Sequence, residues 1–166
     1  MPGAYPELKG ESLAAFKDGI SRLKAKAQTT LGNDYELRDL RAEDLGATTP
    51  VFTHSITTTT GWNSIYNNNT ITTNRWCMVN GIKYAQSTPL ITQLRVTAGG
   101  SIKMNRNIEN VAADFMKSLY FDPFLVEQNQ TLLIEAYNST TTTNTAERLV
   151  FLGVVAEKKG MVLSPV

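Results

Sequence analysis

Residues 131–138 read TLLIEAYN, and this stretch decides the fold. Leu132, Ile134 and Ala136 alternate with Leu133, Glu135 and Tyr137, which is the period of a strand whose one face is buried and whose other face is wet. Asn129 and Gln130 supply a turn just before it. After it, the run STTTT between Asn138 and Asn144 has no large apolar group and reads as a loop that is exposed or covered by a partner. The chain then resumes with RLVFLGVVAEKK (148–159), a long final strand.

The same grammar extends upstream to Pro50. Strand patterns occur in VFTHSITTT (51–59), WNSIY (62–66), ITTNRWCMV (71–79), IKYAQ (82–86), LITQLRV (90–96) and SIKMNR (101–106), with NNN (67–69) as a turn. Asn80 with Gly81 between two apolar runs predicts a hairpin, and Gly99 with Gly100 a hinge between strands. A helical turn at NIENVAA (107–113), a strand at FMKSLYF (115–121), a break at Asp122 with Pro123, and FLVEQ (124–128) complete this part. Strand runs every 8 to 12 residues or so, without alternating long helices, favour a sandwich or jelly roll over an α/β fold.

The first 33 residues differ. MPGAYPELKG (1–10), with two prolines and two glycines, reads as an extended arm. From Ser12, a plain N-cap residue, Leu13, Phe16, Ile20, Leu23 and Ala27 recur at three and four residues and define one helical stripe. Gly19 in its middle costs about 1 kcal/mol against Ala, so the helix depends on packing. A stop at 31–33 is followed by YELRDL (35–40), a short strand, and RAEDLG (41–46), one helical turn closed by Gly46. The expected organisation is an arm and amphipathic helix over 1–33 and a mainly β, antiparallel, jelly-roll-like sandwich over 34–166.

Composition narrows function. Charged residues are 19% of the 166, hydrophobic residues 42%, and Thr with Asn about a fifth, so the polar surface is built from neutral hydrogen-bonding groups. A net charge of +1 offers no field to draw nucleic acid or an anionic membrane, and neither is expected as a partner. No stretch reaches the roughly 18 apolar residues of a membrane span, and no secretory signal is seen; synthesis in a cytoplasm is expected.

Chemistry is sparse. His54 and Cys77, the single residues of their kinds, read as a strand-edge histidine and a small core thiol, and a dyad of the two lacks the basic surroundings that activate a thiol. Glu127 and Glu135 straddle a turn and form the one carboxylate pair to weigh for glycoside hydrolysis. Trp62, Tyr66, Trp76 and Tyr84 could form an aromatic surface for sugars or act as core anchors. Asn68, Asn129 and Asn138 start glycosylation-type triplets that an Asn- and Thr-rich chain produces by chance. The expectation is a protein that is not an enzyme, without metal or cofactor, and that works through contact. Its interface candidates are Tyr5 and Pro6 of the arm and Leu13, Phe16, Ile20 and Leu23 of the stripe, which either the chain's own sandwich or a partner must cover.

The segment LITQLRVTAGGSIKMNR (90–106) and the stretch DPFLVEQNQTLLIEAY (122–137), with the Thr- and Asn-rich loop and apolar strand after it, resemble the jelly-roll proteins of tailed-bacteriophage virions. Decoration or cement proteins and related head or neck subunits are the nearest pattern, over about residues 50–160. That resemblance implies an eight-stranded sandwich, a homotrimer in the virion, and a decoration role in which it bridges neighbouring copies of the major capsid protein. A neck or tail connector, a fibre-attachment subunit, and a carbohydrate- or receptor-binding module are the alternatives.

Overall fold

The computed structural model describes residues 8–113 and 117–161, so Tyr5 and Pro6 of the expected arm lie outside the described residues. The elements run α1 (Gly10–Leu31), β1 (Tyr35–Asp39), a 3₁₀ turn (Ala42–Leu45), β2 (His54–Ile56), β3 (Gly61–Thr70), β4 (Arg75–Tyr84), β5 (Ile91–Ala98), β6 (Ser101–Asn107), α2 (Glu109–Ala113), β7 (Ser118–Val126), β8 (Thr131–Asn138), β9 (Asn144–Glu147) and β10 (Leu149–Lys158). Two four-stranded antiparallel sheets form, ordered β1-β10-β4-β7 and β3-β8-β5-β6, and β2 pairs with β9 beside them. Each sheet takes strands from both halves of the chain. This interleaving is the connectivity of an eight-stranded jelly roll, and the fold is mainly β, an antiparallel sandwich carrying one long helix.

Burial explains why some strands alternate in sequence and others do not. On β8, Leu132, Ile134 and Ala136 are buried between the sheets while Leu133, Glu135 and Tyr137 face outward and are half-covered. On β4, every residue from Arg75 to Ile82 is buried, because that strand lies mid-sheet with both faces covered. Its Cys77 and Val79 enter the inter-sheet core with Tyr66, Ile134 and Phe151, whereas Trp76 and Met78 face α1.

Helix α1 lies across the outer face of the first sheet. Phe16, Ile20, Leu23 and Ala27 pack with Trp76, Met78, Val154 and Ala156, and Leu13 is half-buried beside them. The stripe is therefore covered by the chain's own sandwich and is not an open partner surface. Gly19 permits this approach: a Cβ there would lie 2.6 Å from Met78 Sδ and 2.9 Å from Pro123 Cβ. The sequence cost of a mid-helix glycine is offset by close packing.

Three local expectations are corrected. The helix begins at Gly10 with Lys9 at the cap position, so Ser12 lies inside the first turn and does not cap it. Asn80 and Gly81 make no hairpin; both lie inside β4. There Val79 pairs with Gly153 and Gly81 with Leu152, leaving Asn80 as a bulge. The bulge shifts the alternation, so Met78 points to the helix while Ile82 and Tyr84 point into the sandwich. Asp122 and Pro123 do not break the chain either, since β7 runs through them as the edge strand of its sheet, where a missing N–H is tolerated. By contrast, Gly99 (φ 57°) and Gly100 (φ 78°) form the tight turn of the β5–β6 hairpin, both in the left-handed region that such a turn demands.

Leu23 is fully buried under this helix, and Leu23→Ala is expected to cost about 2–5 kcal/mol of unfolding free energy. The exposed neighbour change Lys24→Ala should stay within about 0.5 kcal/mol, both read by chemical denaturation followed through tryptophan fluorescence.

Candidate functional site

The residues that could carry chemistry are built into the framework. His54 is buried, and its Nε2 lies 2.8 Å from the carbonyl oxygen of Leu149, an acceptor that places the ring proton on Nε2. Its ring meets Tyr66 and Phe151 edge to face, at centroid distances of 5.5 and 6.0 Å. Burial holds its pKa below the ordinary value, against the hydrogen bond to Leu149 and the charge of Glu147. Cys77 is fully buried, and desolvation pushes its thiol pKa far up, so it is an inert core residue. Glu127 and Glu135 do not act together. Glu127 follows β7 and pairs with Lys26 at 2.7 Å, whereas Glu135, on β8 of the other sheet, makes a two-pronged ion pair with Arg95 at 2.7 and 2.9 Å. The hydrogen bonds from Arg95 hold the Glu135 carboxyl below its usual range.

Of the two readings of the four aromatic residues, core anchors hold for three, and the possible aromatic surface does not form. Tyr66 and Tyr84 lie in the inter-sheet core, where the Tyr84 hydroxyl donates to Ile91 O and accepts from Ile91 N–H. Trp76 is buried beneath α1. Of the four, Trp62 alone is half-exposed, and its face is taken by the Arg95 guanidinium 4.4 Å from the ring centre while Tyr137 meets its edge. Alternation along a strand does not reveal which sheet face is the covered one.

A four-charge cluster closes one end of the first sheet. Arg38 of β1 forks onto Asp44 at 2.6 and 2.7 Å and onto Glu157 of β10 at 2.7 and 3.0 Å. Arg75 of β4 reaches Glu157 at 2.9 Å. Burial opposes the charge on Arg38, but the hydrogen bonds of Asp44 and Glu157 outweigh it and raise its pKa above the ordinary arginine value. Two guanidinium groups against two carboxylates leave no free valence, so the cluster stitches β1, β4 and β10 together and offers nothing to a ligand. Among the described residues no group of three His, Cys, Asp or Glu is placed to hold a metal ion, and no helix is long and apolar enough to cross a membrane.

What the surface does offer lies along one flank. The edge strands β6 and β7 of the two sheets meet there, with α1 over β7, and neighbouring cavities along them share lining residues. One, of about 710 Å³, is lined by Arg22, Lys26, Thr29, Trp76, Lys103 and Leu125, among others. Lys103 continues into a second with Arg106 and Asp122, and those two into a third against Glu11. Strand β6 is exposed at every residue except the half-buried Met104, and Ile102 is 68% exposed. Sequence reading missed this flank, because SIKMNRN has no alternation to mark a face; its one signal was a strand too polar to be buried on either side.

What this fold and flank define is a class: a jelly-roll domain that, among the described residues, leaves one long sheet edge exposed beside a set of surface cavities. No protein-family model matches the chain, and no curated protein matches it.

Two measurements follow. Glu157→Gln leaves the buried Arg75 and the half-buried Arg38 beside a single carboxylate and should lower stability by about 3–5 kcal/mol in denaturant titration, because the uncompensated charge of Arg75 stays out of water. The His54 pKa is lowered in the fold, so below about pH 6.5 the unfolded chain takes up a proton that the folded ring refuses. Thermal stability should therefore be flat above that pH and fall as pH drops through 6, and His54→Phe should flatten that slope in a melting series from pH 5.5 to 7.5.

Proposed function

We propose that this chain is a structural subunit of a virus particle, in the role of a capsid decoration or cement protein that bridges neighbouring copies of the major capsid protein. The observation that carries the reading is the interleaved strand order of the two four-stranded sheets, an architecture used for building shells, joined to a surface whose open feature is a sheet edge. Fold alone does not assign function, so the character of the side chains matters too. Asp44 and Glu157 are neutralised by Arg38 and Arg75, His54 is held uncharged and Glu147 is held by neutral donors, while Thr and Asn together make up about a fifth of the chain, suited to many weak contacts. In this reading the work is done by buried area: each added interface of about 1,600 Å² ties together shell subunits that meet weakly. The partners are the major capsid protein or other virion proteins, and the location is the virion. A neck, tail or fibre-attachment position shares the chemistry and differs in lattice place. The carbohydrate reading loses its support, since three of its four aromatic residues are buried.

Purified particles from the producing culture decide the matter. Mass spectrometry should find peptides of the chain in intact particles, and imaging with an antibody against it should show a regular array over the shell. A single labelled ring at a neck would move the subunit to the connector. Recovery of the chain in the unassembled fraction alone would overturn the proposal.

A further inference from the structure

We propose that two copies of this chain pair through β6, edge to edge and antiparallel, joining their β3-β8-β5-β6 sheets into one continuous eight-stranded sheet. This inference does not rest on the virion reading, and it names the partner of the open flank as a second copy of the same chain.

The four edges of the two four-stranded sheets are not equivalent. Edge β7 is covered by α1, whose Arg22 also reaches the Pro123 carbonyl. Edge β1 has five residues, three of them acidic or basic. Edge β3 is interrupted by two register shifts, with Asn68 in the left-handed region at φ 54°. Short, charged or bulged strands are how sheet edges avoid pairing, and a helix over an edge does the same. Strand β6 is seven residues long, its lone register shift lies at the hairpin end, and among the described residues its backbone bonds to β5 alone.

The phase of the ladder says which groups are free. Ile108 N–H donates to Thr92 O at 2.8 Å, and the register continues as Asn107 with Gln93, Arg106 with Leu94, Asn105 with Arg95 and Met104 with Val96. Bonded and non-bonded pairs alternate in an antiparallel ladder, so Arg106 and Met104 bond to β5, and Asn105 and Asn107 turn their N–H and C=O groups to the open side. A second β6 can therefore bond in a register centred on Asn105 opposite its own copy.

That register also suits the charges. It sets Arg106 opposite Met104 of the second copy, with no like charges directly opposed, and brings that copy's Lys103, the bulged residue of β6, alongside Asn107, whereas a register centred on Arg106 would oppose two guanidinium groups. Beside Arg106 lie Glu11 and Asp122. Among the described residues no ion pair engages Lys103, Arg106, Glu11 or Asp122. Lys103 of the second copy arrives at the end of the flank where those carboxylates stand, and the two-fold axis repeats the match. The exposed Ile102 is covered in the same step. Such a contact is isologous and closes at two copies, in place of the trimer that the bacteriophage resemblance implies.

Sedimentation equilibrium of the full chain tests this, with Asn105 as the probe because its side chain is exposed and makes one exposed hydrogen bond, accepted from Gln93 Nε2. The native chain should show a two-chain mass. Asn105→Lys and Asn105→Glu, each placing like charges against each other at the axis, should each show a one-chain mass with unchanged circular dichroism, and an equal mixture of the two should regain the two-chain mass. Asn105→Cys should form a covalent dimer on mild oxidation, since directly bonded partners bring Cα atoms to about 5.5 Å, within disulfide reach, and Cys77 is buried. A native chain that stays single at its highest soluble concentration, a trimer mass, or a two-chain mass that persists in both charge variants would overturn the proposal.

Discussion

Strands β4 and β10 lie side by side at the middle of one sheet with apolar side chains on both faces, and the rest of the molecule is arranged to keep both faces dry. On the inner side the second sheet supplies Tyr66, Leu94, Ile134 and their neighbours. On the outer side α1 does so, and Gly19 allows its axis to approach Met78 and Pro123 closely. A helix of modest propensity is thus held by the face it covers, which makes it part of the sandwich core and withdraws it from partners.

The same constraint explains the polar interior. Where β1, β4 and β10 end together, Glu157 and Arg75 follow directly from buried strand positions and have no route to water. Arg38 and Asp44 are brought in by the short strand and the 3₁₀ turn, and the four charges cancel. At the opposite end of β10, Glu147 accepts from Leu90 N–H, Gln86 and Asn144, and His54 is held neutral against Leu149. Groups that in another setting would be reactive are here spent on joining strands. Among the described residues, the exposed features include the backbone of edge strand β6 and side chains of Thr and Asn.

Several elements were legible before any coordinates. TLLIEAYN, RLVFLGVVAEKK and LITQLRV carry a buried face or two, and each became a strand. The helical stripe and the stop at Gly32 were equally plain, because spacing of three and four admits one geometry. Asn80 with Gly81 misled for a physical reason: the same freedom that suits those residues to a hairpin turn also suits a bulge, and the choice depends on what lies on either side. The aromatic residues stayed open between surface and core for a like reason, since alternation reads the same whether a face is left bare or covered, by α1 over Trp76 and by the second sheet over Tyr84.

By itself the sequence determined the class of fold, the helix and its apolar stripe, because periodicity is a property of the local chain. The order of strands within the sheets, the covering of β4 and β10 by α1, the joining of four scattered charges into one cluster and the exposure of β6 were decided by tertiary structure. Each of these depends on residues from 40 to over 100 positions apart meeting in space, and no local pattern encodes which faces meet.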